Sequence, residues 1–318
     1  MSGRRQEEGC GQRYLFVALP RSAPARRVFR PARKVPWGTW IFVILVLVLA
    51  IGALGAFLGV VLPERVAALA QTEASELSLA RKGAADVSSN VISLWADLSA
   101  KGSMSLSDDR LAQDLALASS TEKSADDALG HGQTAESYMA QADGLPFQLH
   151  SPAFVAADRP ALQHLDKALQ AAIKLTHAAT LQLTLAQHLS QDAQKMSGTL
   201  DPSLRAGNWT DAARAASALA TDLKEQQAPA GDPEALLDPL WAKRIDAMLA
   251  VVTDAQQYSL AAAAHQTQVA QQASRSLNAA RDQLAATIAA AQNGAAAWQA
   301  NKIQPVLDTL SKELATGS

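Results

Sequence analysis

Residues 64–100 read ERVAALAQTEASELSLARKGAADVSSNVISLWADLSA. Val66, Ala70, Glu73, Leu77, Ala80, Ala84, Val87, Val91, Leu94 and Leu98 follow one another here at alternating spacings of four and three. That period places one stripe of side chains along one side of an α-helix for nearly five heptads, so the segment predicts a long helix packed against a partner. No run of strict apolar/polar alternation competes with it. Composition agrees: 67 of the 318 residues are Ala and only 5% are aromatic. Ala loses no side-chain entropy on entering a helix, whereas strands need β-branched and aromatic runs closed by turns. The fold class expected is all-α.

Downstream, the same spacing recurs between breaks. Ser107 or Asp108 is placed to cap a second helix carrying Leu111, Leu115, Ala118, Glu122, Ala125 and Leu129, and Gly130-His131-Gly132 is expected to kink or end it. A third helix, about Ala161–Met196, carries Leu162, Leu165, Leu169, Ala172, Thr176, Ala179, Leu183 and Ala186. A short fourth carries Trp209, Ala212, Ala216, Leu219 and Leu223. A fifth runs from about Glu234 to Asn301, with Leu277, Leu284, Ala291 and Trp298 at sevens, and Pro305 ends or kinks it before a short C-terminal turn. Loops are expected near 101–107, 143–160, 197–208 and 228–233, where Pro, Gly and Asp gather. Loops of this length between periodic helices predict antiparallel neighbours, hence a helical bundle or coiled-coil-like domain over 63–318.

Upstream the character changes. Residues 37–62, WGTWIFVILVLVLAIGALGAFLGVVL, contain no ionisable side chain. A bilayer core of about 30 Å needs roughly 20 apolar residues in helix, so 37–62 is expected to be a single transmembrane helix that spans with some tilt. Trp37 and Trp40 open it at the level where indoles favour the headgroups, with Arg33 and Lys34 beside them at the membrane interface. Residues 1–36 carry nine Lys and Arg against Glu7 and Glu8, whereas the remaining 282 carry 19 basic and 28 acidic side chains. The positive-inside rule then expects a basic, mostly disordered cytoplasmic tail and an extracytoplasmic domain, as in a signal-anchored protein of the bacterial cytoplasmic membrane. The same charges need no nucleic acid to explain them. Ala68-Leu69-Ala70 resembles a signal-peptidase site, but the apolar run is too long and starts too late for a signal peptide.

Within the spanning segment Gly55 and Gly59 form GxxxG, and Gly52 with Ala56 repeats small-xxx-small one step round. Small residues four apart let two helix backbones approach in lipid, where packing drives association, so these four are the candidate helix–helix contact.

No chemistry-bearing motif emerges. One Cys, at position 10, excludes a disulfide framework and Cys-based metal sites. The histidines at 131, 150, 164, 177, 188 and 265 do not pair at i, i+4; His177 and His188 share a face but lie about 16 Å apart along the axis. Asp108-Asp109 and Asp126-Asp127 point to different faces. No phosphate loop or nucleophile elbow occurs in a strand–turn–helix context. The chain is therefore expected to be no enzyme, to need no cofactor or metal, and to act as a scaffold or adaptor of the cell envelope. Its partners would be the lipid bilayer and either a second copy or an envelope protein. The alternative is a sensor signalling through a separate membrane partner: the architecture is similar to the four-helix periplasmic sensor domains of chemoreceptors, although no second spanning segment follows Asn301.

Overall fold

The computed structural model describes residues 37–101, 106–146, 150–231 and 236–317. Among them every regular element is helical and no strand occurs. The chain divides into two units, one ending at Ala56 and the other beginning at Phe57. In the first, α1 spans Trp37–Ala56, buries none of its 20 residues and leaves all its large apolar side chains exposed. It is long and apolar enough to cross a bilayer.

The second unit is a helical bundle. It comprises α2 (Leu62–Lys101), α3 (Asp108–Asp143), α4 (Ala153–Lys195), α5 (Asp201–Ala206), α6 (Trp209–Ala230), α7 (Leu240–Ala263), α8 (Thr267–Lys302) and α9 (Gln304–Gly317). Helices α2 and α3, α3 and α4, and α7 and α8 run antiparallel. On α2 and α3, Glu76 faces His131, Gly83 faces Ala128 and Asp97 faces Arg110. On α3 and α4, Asp143 meets Arg159 and Asp108 meets Ser190 and Gln194. On α7 and α8, Asp254 meets Ser276 and Leu240 lies against Gly294. The stripe on α2 is the buried seam: Glu73, Leu77, Ala80, Ala84, Val87, Val91, Leu94 and Leu98 are each at most 2% exposed. All eight stripe positions of the third helix are buried too. On α3 Leu111, Ala118 and Ala125 are buried as expected, while the alternate positions shift back by one residue, with Asp114, Thr121 and Ala128 buried where Leu115, Glu122 and Leu129 are only half-buried.

Two apolar cores result. One gathers Leu77, Ala80 and Ala84 of α2, Met139 of α3 and Val155, Leu162 and Leu165 of α4. The other gathers Trp95 and Leu98 of α2, Leu175 through Leu189 on α4, and the buried faces of α6 and α7. The indole N–H of Trp95, 1% exposed, donates to the Leu175 carbonyl at 3.2 Å and so joins α2 to α4.

Several expected boundaries move. Helix α3 runs unbroken through Gly130-His131-Gly132, and Ser107 caps it by accepting from the Arg110 amide. Helix α4 begins at Ala153, inside the loop expected at 143–160, and carries Pro160 internally; Val155 is fully buried and Phe154 packs beside it, and their burial offsets the bond that proline cannot make. The region 197–208 is helical up to Ala206. A π-helical turn at Met196–Leu200 precedes Pro202, as another at Phe57–Val61 precedes Pro63. In each case a glycine, Gly198 or Gly59, lies four residues before the proline. Proline removes the bond to that carbonyl and crowds it, and a widened turn accommodates both effects. Pro305 is the second residue of α9, where its missing N–H costs nothing, and the expected C-terminal turn is a 14-residue helix.

The largest departure is the fifth helix, which is two. The chain reverses at Ala264-His265-Gln266, with His265 at φ +55°. The Gln266 amide donates to the Ala261 carbonyl at 2.9 Å and the His265 amide to the Ala262 carbonyl at 3.1 Å, the two bonds of a Schellman cap. Gly207 closes α5 in the same way at φ +71°, with its own amide and that of Asn208 bonded back to Leu204 and Ser203. Glycine usually holds the left-handed position, because a Cβ there crowds the following carbonyl. We expect His265→Gly to stabilise the bundle by about 0.5–1 kcal/mol, read as a higher denaturation midpoint at unchanged slope; a lower midpoint would contradict the cap.

Candidate functional site

Besides Asp114 on α3, which is 2% exposed and paired with Arg110, two places in the bundle hold charge where the seam should be apolar. The first is near the start of α2. Glu73 occupies a seam position and is 1% exposed, and its Oε1 is buried with no hydrogen-bond partner. Burial, and after it the like charge of Asp158 on α4, push its carboxyl up to about 7, with Arg81 pulling weakly the other way. Charged ties surround it. His131 Nδ1 lies 2.6 Å from Glu76 Oε2, joining α3 to α2. His164 Nδ1 lies 2.6 Å from Glu313 Oε2, joining α4 to α9, and this hydrogen bond holds the Glu313 carboxyl below its usual range. Arg81 Nε donates to the Gly317 carbonyl at 3.1 Å. Four helices are thus tied together by side-chain hydrogen bonds near Glu73.

The consequence for stability has a definite sign. A carboxyl whose folded pKa is raised binds more protons in the folded chain than in the unfolded one. Its favourable contribution is complete below the ordinary value of 4.5 and is lost as pH rises through about 7. Glu73→Met removes the ionisable group and keeps the volume. We expect this variant to exceed the wild type in stability at pH 8 by on the order of 1 kcal/mol, with the gap closing toward pH 5. Parallel denaturation curves at the two pH values decide it, and a pH-independent gap would exclude ionisation as the cause.

The second place lies between α4 and α6, which run antiparallel here. Asp192, 2% exposed, accepts through Oδ2 from Gln226 Nε2 at 2.8 Å and through Oδ1 from Lys195 Nζ at 3.2 Å. Lys195 Nζ also donates to Asp222 Oδ2 at 2.6 Å, and these carboxylates, Asp222 foremost, hold its ammonium charged to higher pH than usual. The same residues line a cleft of about 480 Å³ whose apolar side is Leu181, Leu185 and Pro229 and whose polar side includes Glu225 and His188. Gln226 is 6% exposed, and its Oε1 is buried without a hydrogen-bond partner. A buried acceptor left without a partner costs about 1–3 kcal/mol, which the bonds from Gln226 Nε2 and Lys195 to Asp192 offset in part. A more open groove of about 520 Å³ lies at the α7–α8 tip beside Tyr258, His265 and Arg275, and Trp209 packs edge-on to Tyr258 at 5.4 Å.

The residues singled out in the sequence fall elsewhere. Gly52, Gly55 and Gly59 each have nothing within 4 Å of where a Cβ would stand, and Ala56, Trp37 and Trp40 are exposed. The structure brings none of them together with a partner. Arg33, Lys34 and Cys10 lie outside the described residues. His131 and His164 are hydrogen-bonded to Glu76 and Glu313, while His150, His177, His188 and His265 are exposed. Among the described residues no group of three His, Cys, Asp or Glu stands close enough to hold a metal ion. Glu73 was legible as a charge inside an apolar stripe, and Asp192 continues the three-and-four spacing from Leu185 and Leu189. The signal for both is an acidic residue at a seam position. What each meets there required the fold.

No protein-family model, no curated protein and no solved structure matches this chain.

Proposed function

We propose that this protein is a single-pass, membrane-anchored helical scaffold or adaptor of a bacterial cell envelope, working through protein–protein contacts made by its bundle. The observation that carries the reading is α1, a 20-residue helix without an ionisable group whose apolar side chains are all exposed, in a chain whose other unit is a bundle with its own cores. Exposure of that much apolar surface is stable in lipid and costly in water. The nine basic residues preceding Trp37 support a cytoplasmic N-terminus and an extracytoplasmic bundle. Gly52, Gly55, Ala56 and Gly59 line α1 and the turn after it with small side chains, which supports self-association through the spanning segment.

A second reading, a sensor that signals through a separate membrane partner, is favoured by the α4–α6 cleft and the charged side chains that line it. Either way, a partner is required.

The full chain should resist alkaline carbonate extraction, and a reporter fused at Ser318 should be active only outside the cytoplasm. Cross-linking in intact cells should then capture a stoichiometric protein partner or a second copy. A carbonate-soluble chain ends the anchor reading, and a monomer with no captured protein ends the adaptor reading. In the isolated segment 35–65, Gly55→Ile or Gly59→Ile should weaken association by about 1 kcal/mol or more, as branched side chains separate backbones that pack closely. Equal association in a membrane two-hybrid assay would assign any dimer to the bundle.

A further inference from the structure

The C-terminal end of α9 is seated on α4 and tied to α2. Gly317 is buried, and an added Cβ would stand 3.0 Å from the Ala161 carbonyl oxygen and 3.2 Å from the Cβ of His164, so the end of α9 fits there without a side chain. The Gly317 carbonyl accepts from Arg81 Nε at 3.1 Å. Another group competes for that arginine. About two turns earlier on α2, Glu73 is 1% exposed with Oε1 buried and without a partner, and Arg81 is the cation that attracts it. We propose that this arrangement is a proton-operated latch: α9 stays docked while Glu73 is neutral, and ionisation of Glu73 draws Arg81 from the Gly317 carbonyl and frees the end of α9.

A buried carboxylate needs a cation, whereas the neutral acid does not. A guanidinium also bonds a carboxylate about twice as strongly as a neutral carbonyl, so an ionised Glu73 outcompetes the end of α9 for Arg81. Burial, and after it Asp158 on α4, raise the Glu73 carboxyl from 4.5 to about 7, so the latch is shut below that value and opens as pH rises through it. The other charged groups around the joint have partners. His131 of α3 is bonded to Glu76, Arg159 of α4 to Asp143 at the end of α3, and His164 of α4 to Glu313 of α9. Tyr138, one heptad on from His131, shares its side of α3 and is half-buried. The His164 bond holds Glu313 below the usual carboxylate range, with Lys167 and Lys312 adding to it, so Glu313 keeps its charge while Glu73 changes. Leu314 of α9 packs against both cores, and Leu165 of α4, 2% exposed, lies under Gly317. Freeing the end of α9 therefore uncovers an apolar strip on α4. The latch acts inside the bundle and needs neither the anchor nor a partner.

The test follows hydrogen–deuterium exchange of the full chain in lipid nanodiscs at pH 6 and pH 8.5, with rates corrected for the pH dependence of free amides. Residues 310–317 are expected to lose protection at least tenfold at the higher pH, while α6 and α7 lose little. Glu73→Gln keeps the shape and cannot ionise, so α9 should stay protected at both values, and Glu73→Met should behave alike. Arg81→Gln should free the end of α9 at both. His164→Gln should keep the wild-type response, and circular dichroism verifies that every variant remains helical. Equal protection of α9 at the two pH values in the wild type, a response that survives in both Glu73 variants, or a parallel loss across α6 and α7 overturns the latch. Histidine charge also changes near neutral pH. A His164→Gln variant equally protected at both values would assign the response to that histidine and overturn the latch as well.

Discussion

Helix α4 has to bury more than one side at once, and the arrangement of the bundle follows from that requirement. Sixteen of its 43 residues are buried, among them Leu162 and Leu165 toward one core and Leu175, Leu183 and Leu189 toward the other. A helix wetted along one side needs a single stripe, whereas α4 carries apolar residues round much of its circumference between Ala168 and Ala186. It therefore receives α2 and α3 on one side, α6 on another, and α9 folded back over its first half. The Trp95–Leu175 hydrogen bond lies where these contacts converge.

Alanine seams make this crowding possible and impose their own constraint. An alanine contributes little apolar area, so the helices gain packing only by approaching closely. At Gly83 the approach is so close that an added Cβ would stand 2.8 Å from the Cβ of Ala128. Gly317 plays the same part for α9, where a Cβ would lie 3.0 Å from the Ala161 carbonyl oxygen. Seams of this kind leave few apolar alternatives where a larger group intrudes. The buried acids Glu73 and Asp192 stand out for that reason, and they meet the problem differently. Asp192 is met by donors from Gln226 and Lys195, while Glu73 has an oxygen without a partner and a neighbouring acid and is driven toward its neutral form. One acidic residue at a seam thus builds a polar network and the other a proton-sensitive joint.

Helices and their buried faces were readable from spacing alone, because a 3.6-residue period maps sequence directly onto a side of the helix. The α2 stripe from Glu73 onward and all eight α4 positions are buried as that period requires, while Val66 and Ala70 are half-buried. The long apolar helix was readable for a simpler reason: 26 residues from Trp37 to Leu62 without a charge leave no polar face to expose. The acids at seam positions were visible as interruptions of a pattern.

Chain reversals and partners were decided by tertiary structure. Pro160 and Gly130-His131-Gly132 carry local signals for a break, yet the helices continue, because Val155, Met139 and Ala142 are buried beyond them. At His265 no glycine or proline marks a turn, and α7 and α8 nevertheless separate there. Folding back lets Leu277 and Leu284 pack with the core that α7 lines, and that burial outweighs the cost of one left-handed residue. The juxtaposition of Asp192 and Lys195 with Asp222 and Gln226 likewise depends on the register between α4 and α6. Periodicity states which side of a helix is apolar, but not where along its length a distant helix will meet it.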